Sequence, residues 1–302
     1  MRVGSFVAVC VIVIVAPRVS AGEAFELRDG DRVVLIGNTF IEREQTYSYL
    51  ETRWPQRKIT FRNLGWSGDT VWCDARGYEH DAARGFENLT KHVHELKPTV
   101  IFIGYGMVES FEGDAGLPRC GAGLERMLDM LKDLNAQIVL LGPIKHENLG
   151  PPLPDPAQHN RDLRKYADAM KEVAAKRGHR FIDLFELLHA DNSETPLTEN
   201  GIHLTQQGYA RAANTIAKAL NASADISSPT AEKIRRLAIQ KNVQYFNQWR
   251  PANEPYIFGF RKQEQSRNQV ELPRFAQPIG ELEEAMRKLA QQQQQQPQQV
   301  KS

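Results

Sequence analysis

The chain has almost no net charge: 38 Lys and Arg stand against 37 Asp and Glu in 302 residues, leaving +1. A nucleic-acid binder relies on a basic surplus facing phosphates, so this composition gives no electrostatic basis for such a partner. Cysteine is equally scarce, with three in all, and Cys10 sits in an N-terminal apolar run, which leaves Cys73 and Cys120. No Cys/His set has zinc spacing, and His92 and His94, two apart on an expected helix, point to different faces. No metal and no cofactor is implied. Whether Cys73 and Cys120 are bridged stays open, because spacing alone does not bring two Cα atoms into range. Long apolar runs are missing too: Phe6 to Ala16 falls short of the roughly 20 residues that span a bilayer.

That short run has another reading. Arg2 precedes it and Val19-Ser20-Ala21 follows with small residues, the pattern of a signal peptide over residues 1–21 cut after Ala21. The expectation is a secreted or periplasmic protein with no integral membrane segment after cleavage.

What is present is a repeated alternation. The apolar runs RVVLIG (32–37), KITFRN (58–63), TVIFIGYG (99–106), QIVLLGP (137–143) and RFIDL (180–184) read as strands. Segments near 43–53, 79–97, 120–135, 157–177 and 206–220 carry helical periodicity between and after them. This alternation predicts an α/β fold, a parallel five-stranded sheet covered by helices on both faces. Ligands bind such sheets beyond the carboxyl ends of the strands. The loops that matter are then Gly37 to Thr39, Asn63 to Thr70, Gly104 to Ser110 and the one after Gly142. The sheet domain is expected over residues 25–225, followed by a helical and irregular C-terminal extension over 229–290 that starts with a basic, aromatic helix at 231–249. A last helix is expected at about 279–290, before a Gln-rich tail (291–302) whose composition predicts disorder.

The post-strand loops carry blocks that resemble the SGNH, or GDSL-type, hydrolases over roughly residues 30–220. NLGWSGDT (63–70) is similar to that family's second block, and LTENGIHLTQQGY (197–209) to its last. The resemblance implies a flavodoxin-like three-layer sandwich and hydrolysis of ester bonds. It places Thr39 at the nucleophile, Gly68 at the backbone oxyanion donor and His203 at the general base. Asn38, Asn200 and Glu199 fall where orienting or oxyanion support is expected.

The blocks also depart from the family. Thr39 replaces its Ser, and the extra methyl restricts χ1 and crowds an approach to a carbonyl. Asn38 replaces the Asp beside it, Val108 aligns with an oxyanion-donating Asn, and Asn200 replaces the acid three residues before the histidine. Glu199, one residue earlier, is the nearest carboxylate in sequence. Two functions remain: hydrolysis of a small-molecule or carbohydrate ester, or an inactive member that serves as a ligand-binding or interaction module. Trp66, Trp72, Tyr105 and Phe111 are aromatic candidates for stacking on a sugar, against ordinary packing. His146, Glu147 and His159 lie in rim loops, read as ligand contacts or as solvated residues. The extension has no partner that its sequence names.

Overall fold

The computed structural model describes residues 25–77, 82–189, 195–222, 228–252, 254–264 and 268–299. The expected signal peptide lies outside them. Five strands, β1 (Arg32–Gly37), β2 (Thr60–Gly65), β3 (Val100–Gly104), β4 (Gln137–Leu141) and β5 (Arg180–Ile182), form one sheet in the order β2-β1-β3-β4-β5. All four pairings are parallel. The helices are α1 (Thr39–Tyr47), α2 (Ala82–Leu96), α3 (Leu117–Leu131), α4 (Ala157–Arg177), α5 (Leu184–Leu187), α6 (Gln206–Ala219), α7 (Pro229–Trp249), α8 (Glu254–Ile257) and α9 (Ala276–Gln299). None of the described helices is long and apolar enough to cross a membrane.

Strands β1, β3 and β4 are nearly continuous apolar runs because both faces are covered. Val34, Ile36, Ile101, Ile103 and Leu140 enter one cluster with Val93, Leu124, Met127 and Tyr166 from α2, α3 and α4. Their neighbours Val33, Leu35, Phe102, Val139 and Leu141 enter the other with Ile41 and Tyr209 from α1 and α6. This period-two sorting of fully apolar strands gives the three layers. The strand order is the flavodoxin-like one, with its switch point between β1 and β3.

At that end of the sheet a row of three glycines crosses adjacent strands: Gly37 pairs with Gly65 on one side and with Gly104 on the other. Helix α1 lies directly on this row. A Cβ on Gly65 would stand 2.2 Å from the Glu42 amide nitrogen, and one on Gly37 would stand 2.4 Å from Ile41 Cγ1. The sequence expectation set a loop through Thr39 and began the helix near residue 43. In the structure α1 begins at Thr39, because the Asn38 side chain caps it by accepting from the Phe40 N–H at 3.1 Å.

The extension packs back on the sheet domain over the edge strand β2. Lys241, fully buried, donates to Glu51 Oε2 at 2.8 Å and to the β2 carbonyl of Phe61 at 3.1 Å. Asn242 donates to Ser48 Oγ, and the Tyr245 hydroxyl lies 3.2 Å from His92 Nε2. Helix α9 continues to Gln299, through the Gln tract for which composition predicts disorder. Cys73 and Cys120 are free, buried thiols. Burial pushes the Cys73 thiol up to about 12, so it stays protonated and unreactive.

Two outcomes are expected. Gly65→Ala forces α1 off the sheet and costs about 1–3 kcal/mol in denaturant unfolding, with no compensating contact. Burial, with Arg76 nearby, pushes His92 down to about 4, so between pH 6.5 and 4 only the unfolded chain takes its proton there. Stability from this group falls by about 1.4 kcal/mol per pH unit on acidification through that window. Unfolding curves of His92→Gln at pH 7, 6 and 5 should show a shallower pH slope than the native chain.

Candidate active site

The site grows out of the glycine row. Thr39 is the first residue of α1, half-buried, and its Oγ1 accepts the Gly68 backbone N–H at 3.1 Å. Gly68 is exposed and holds φ +73°, and a Cβ there would meet nothing within 4 Å. The residue is glycine for its left-handed backbone, not for lack of room.

The loop carrying Gly68 is fixed from beneath by a buried polar network. Asp69, with no exposure, accepts from Arg76 Nε at 2.5 Å and from the Tyr105 hydroxyl at 2.9 Å. Arg76 also donates to the Gly37 carbonyl at 3.3 Å, tying the network to β1. Buried charges survive only when paired and hydrogen-bonded in this way. Glu109 is a second such group. Its carboxylate accepts from the Val71 N–H at 2.8 Å and the Gly106 N–H at 2.9 Å, so it clamps two loops together. Burial holds its pKa above the ordinary carboxylate range despite these donors. Val108, beside it, is half-buried and starts the 3-10 turn Glu109–Gly116 with no side-chain donor to offer.

His203 sits half-buried in the loop before α6, whose first turn is capped by Thr205 accepting from Gly208 N–H. Its partner is Asn200. Asn200 Oδ1 accepts the backbone N–H groups of His203 at 3.0 Å and Ile202 at 3.3 Å, which leaves Nδ2 facing His203 Nδ1 at 3.1 Å. An amide NH₂ only donates, so Nδ1 must accept and the neutral ring carries its proton on Nε2. Burial and the nearby Arg43 guanidinium hold the His203 pKa below its ordinary value, opposed by Glu199. Glu199 does not replace the missing acid: its carboxylate pairs with Arg43 Nη2 at 2.9 Å. Asn38 is a helix cap with its oxygen committed to Phe40. No hydrogen bond joins the Thr39 hydroxyl to the His203 ring among the described residues.

The rim residues divide. Glu147 grips the His203 loop, accepting from Leu197 N–H, Thr198 N–H and the Thr198 hydroxyl. His146 and His159 face each other Nδ1 to Nδ1 at 2.9 Å, and His159 Nε2 reaches Ser110 Oγ at 2.8 Å. Of the four aromatic candidates, Tyr105 is buried, Trp72 donates to the Arg119 carbonyl and Trp66 lies under Arg250. Phe111 alone presents a largely exposed ring, 62% accessible, stacked by its other face on His159. Among the described residues no group of three or more His, Cys, Asp or Glu is arranged to hold a metal.

Comparison with known proteins fits this geometry. Residues 37–211 match the model of the GDSL-like Lipase/Acylhydrolase family. The chain belongs to that family. Ester hydrolysis is therefore its reaction class, and the α7–α9 extension lies outside the matched residues. No curated protein sequence matches the chain. A catalytic mutant of Axe2, an acetylxylan esterase from Geobacillus stearothermophilus, shares the fold with a TM-score of 0.52 at 17% identity, over 65% of this chain and 97% of that one. BT4096, a gut microbial diltiazem-metabolizing enzyme, gives 0.52 at 21% identity; 67% of this chain corresponds to 49% of that longer one.

Asp69, Arg76, Glu109 and Glu147 were not singled out as site supports by sequence reasoning. Asp69 lies inside the second block, which was its one signal. The tautomer assignment is checked by ¹⁵N NMR of the His203 ring: the native chain should show Nε2 protonated. Asn200→Asp should move the proton to Nδ1 and raise the His203 pKa by roughly one unit or more, since a carboxylate then faces the ring.

Proposed function

We propose that the protein is a slow hydrolase of acyl esters on carbohydrate, acting after export, with Thr39 as nucleophile, the Gly68 N–H as oxyanion donor and His203 as base. The carrying observation is the Thr39 hydroxyl held one hydrogen bond from the Gly68 amide at the start of α1. In this reaction Thr39 Oγ1 adds to the acyl carbonyl and its proton passes to His203 Nε2. The carbonyl oxygen, now negative, accepts from Gly68. The alcohol leaves with the proton, and water releases the acid from the acyl-threonine by the reverse roles.

Slow turnover follows from two groups. His203 must first carry its proton on Nδ1, against the Asn200 NH₂; a comparable loss of the orienting acid in a protease triad costs about 10⁴ in rate. Val108 adds no side-chain donor, and one missing donor costs about 10²–10³. The substrate class is supported by the exposed face of Phe111, suited to a sugar ring, and by the acetylxylan activity of one fold neighbour. Export is supported by the charged and apolar segment at the N-terminus.

A second reading, a non-hydrolytic binder of carbonyl-bearing ligands, is favoured by one observation: the resting His203 offers a donor at Nε2, as Gly68 does at its amide. Assays of an aryl acetate and an acetylated xylo-oligosaccharide separate the two. Hydrolysis predicts measurable native turnover, loss to background in Thr39→Ala, and a gain of about 10²-fold or more in Asn200→Asp. Because the His203 pKa is lowered, the acid limb of turnover should lie below the ordinary histidine value of about 6.5. Binding without turnover in either the native chain or Asn200→Asp would decide for the second reading.

A further inference from the structure

Among the described residues, the extension reaches the candidate site at the end of α7, where Trp249 and Arg250 lie against Trp66. Arg250 follows the last turn of α7, its backbone N–H donating to the Phe246 carbonyl at 2.8 Å. Its guanidinium lies 3.5 Å from the centroid of the Trp66 ring, and Nη1 donates to Glu42 Oε2 at 2.5 Å. The same Glu42 carboxylate accepts the Ser67 backbone N–H at 2.9 Å and the Ser67 hydroxyl at 2.8 Å. Ser67 immediately precedes Gly68. Trp66, for its part, is tied to β1 by its N–H donating to the Gly37 carbonyl at 2.9 Å. The Gly68 loop is therefore held by two sets of groups: Asp69, Arg76 and Tyr105 beneath it, and Glu42 of α1 paired with Arg250 of the extension.

The two grips differ in kind. Asp69 is wholly buried and belongs to the sheet domain, whereas Arg250 and Glu42 keep 26% and 19% side-chain exposure and join residues 208 apart in sequence. Ser67 and Gly68 are themselves exposed. An exposed loop with φ +73° at its apex keeps one amide direction only if its neighbours are pinned. Glu42 alone could rotate toward water. Arg250 prevents this by combining a charged hydrogen bond to Glu42 with a face packed on Trp66, a pairing that the planar guanidinium makes and an ammonium does not.

We propose that Arg250 is a positioning residue for the Gly68 amide, so that the C-terminal extension completes the oxyanion donor of the sheet domain. It acts through Glu42 and Ser67 and touches no reacting atom. This rests on the reading of Gly68 as oxyanion donor. It gives residues outside the family-matched region a part in the reaction itself.

The test uses the full chain with Arg250→Ala, Arg250→Lys and Glu42→Gln, read in two ways. Amide hydrogen exchange at Ser67 and Gly68 should quicken about tenfold or more in Arg250→Ala, and less in Arg250→Lys, while α2–α4 amides keep native rates. Turnover of the aryl acetate, measured in the faster Asn200→Asp background, should fall about 10- to 100-fold in kcat with little change in KM. Should Arg250→Ala fail to fold, Arg250→Lys and Glu42→Gln carry the same comparison. Native exchange at Ser67 and Gly68 in a folded variant overturns the proposal, as does faster exchange with unchanged kcat. If no variant or native chain turns over ester, the hydrolase reading fails, and the exchange rates alone decide whether Arg250 positions the amide.

Discussion

Everything at the candidate site depends on a backbone contact: α1 lying on the row Gly37, Gly65 and Gly104. Side chains at that level would lift the helix off the strand ends. With none there, the Glu42 amide reaches β2 and Ile41 fills the space over β1 and β3. This close seat lets α1 begin one residue after the Asn38 cap, brings Thr39 beside Gly68, and points Glu42 at the next loop. A parallel sheet sets its ligand crevice at the carboxyl ends of its strands, and here the glycine row decides how deeply a helix start can enter it.

Around this seat the groups that hold the loops and the positions that depart from the family blocks are different residues. Asp69, Arg76, Tyr105 and Glu109 are buried, ionisable and fully occupied with each other or with loop amides. Such groups are costly unless every partner is in place, so they hold the loops rigidly. The departures from the family blocks fall at positions that matter to the proposed reaction: Thr39, Val108 and Asn200. In the proposed reaction this leaves an ordered donor and hydroxyl beside a histidine whose resting proton sits on the nitrogen that must act as base. Family membership gives ester hydrolysis, and in the proposed reaction the Asn200 amide is what slows it.

The extension solves a different problem with the same residues. Strand β2 is a sheet edge, and an open edge invites pairing with other chains. Helix α7 packs against it, and the buried Lys241 donates to the Phe61 carbonyl alongside Arg62. Ending that helix with Trp249 and Arg250 brings aromatic and guanidinium groups over Trp66. Edge protection and loop support therefore come from one helix.

The amino-acid sequence by itself determined the local features. Strands at 32–37 and 137–141, the helix at 157–177 and the order of the loops follow from apolar periodicity, which each segment carries within its own few residues. The roles proposed for Thr39, Gly68 and His203 come from blocks of neighbours that resemble a family. Tertiary structure alone decided what those residues face. Asn200 could be seen to lack a carboxylate, but only the backbone donors of Ile202 and His203 fix which end of its amide meets the ring. Glu109 follows Val108 in the sequence, but only the fold sets its oxygens on the Val71 and Gly106 N–H groups. Arg250 and Glu42 carry no mutual signal across 208 positions. Periodicity is a property of neighbours along the chain, whereas hydrogen-bond direction and ion pairing depend on which distant groups the fold brings within about 3 Å.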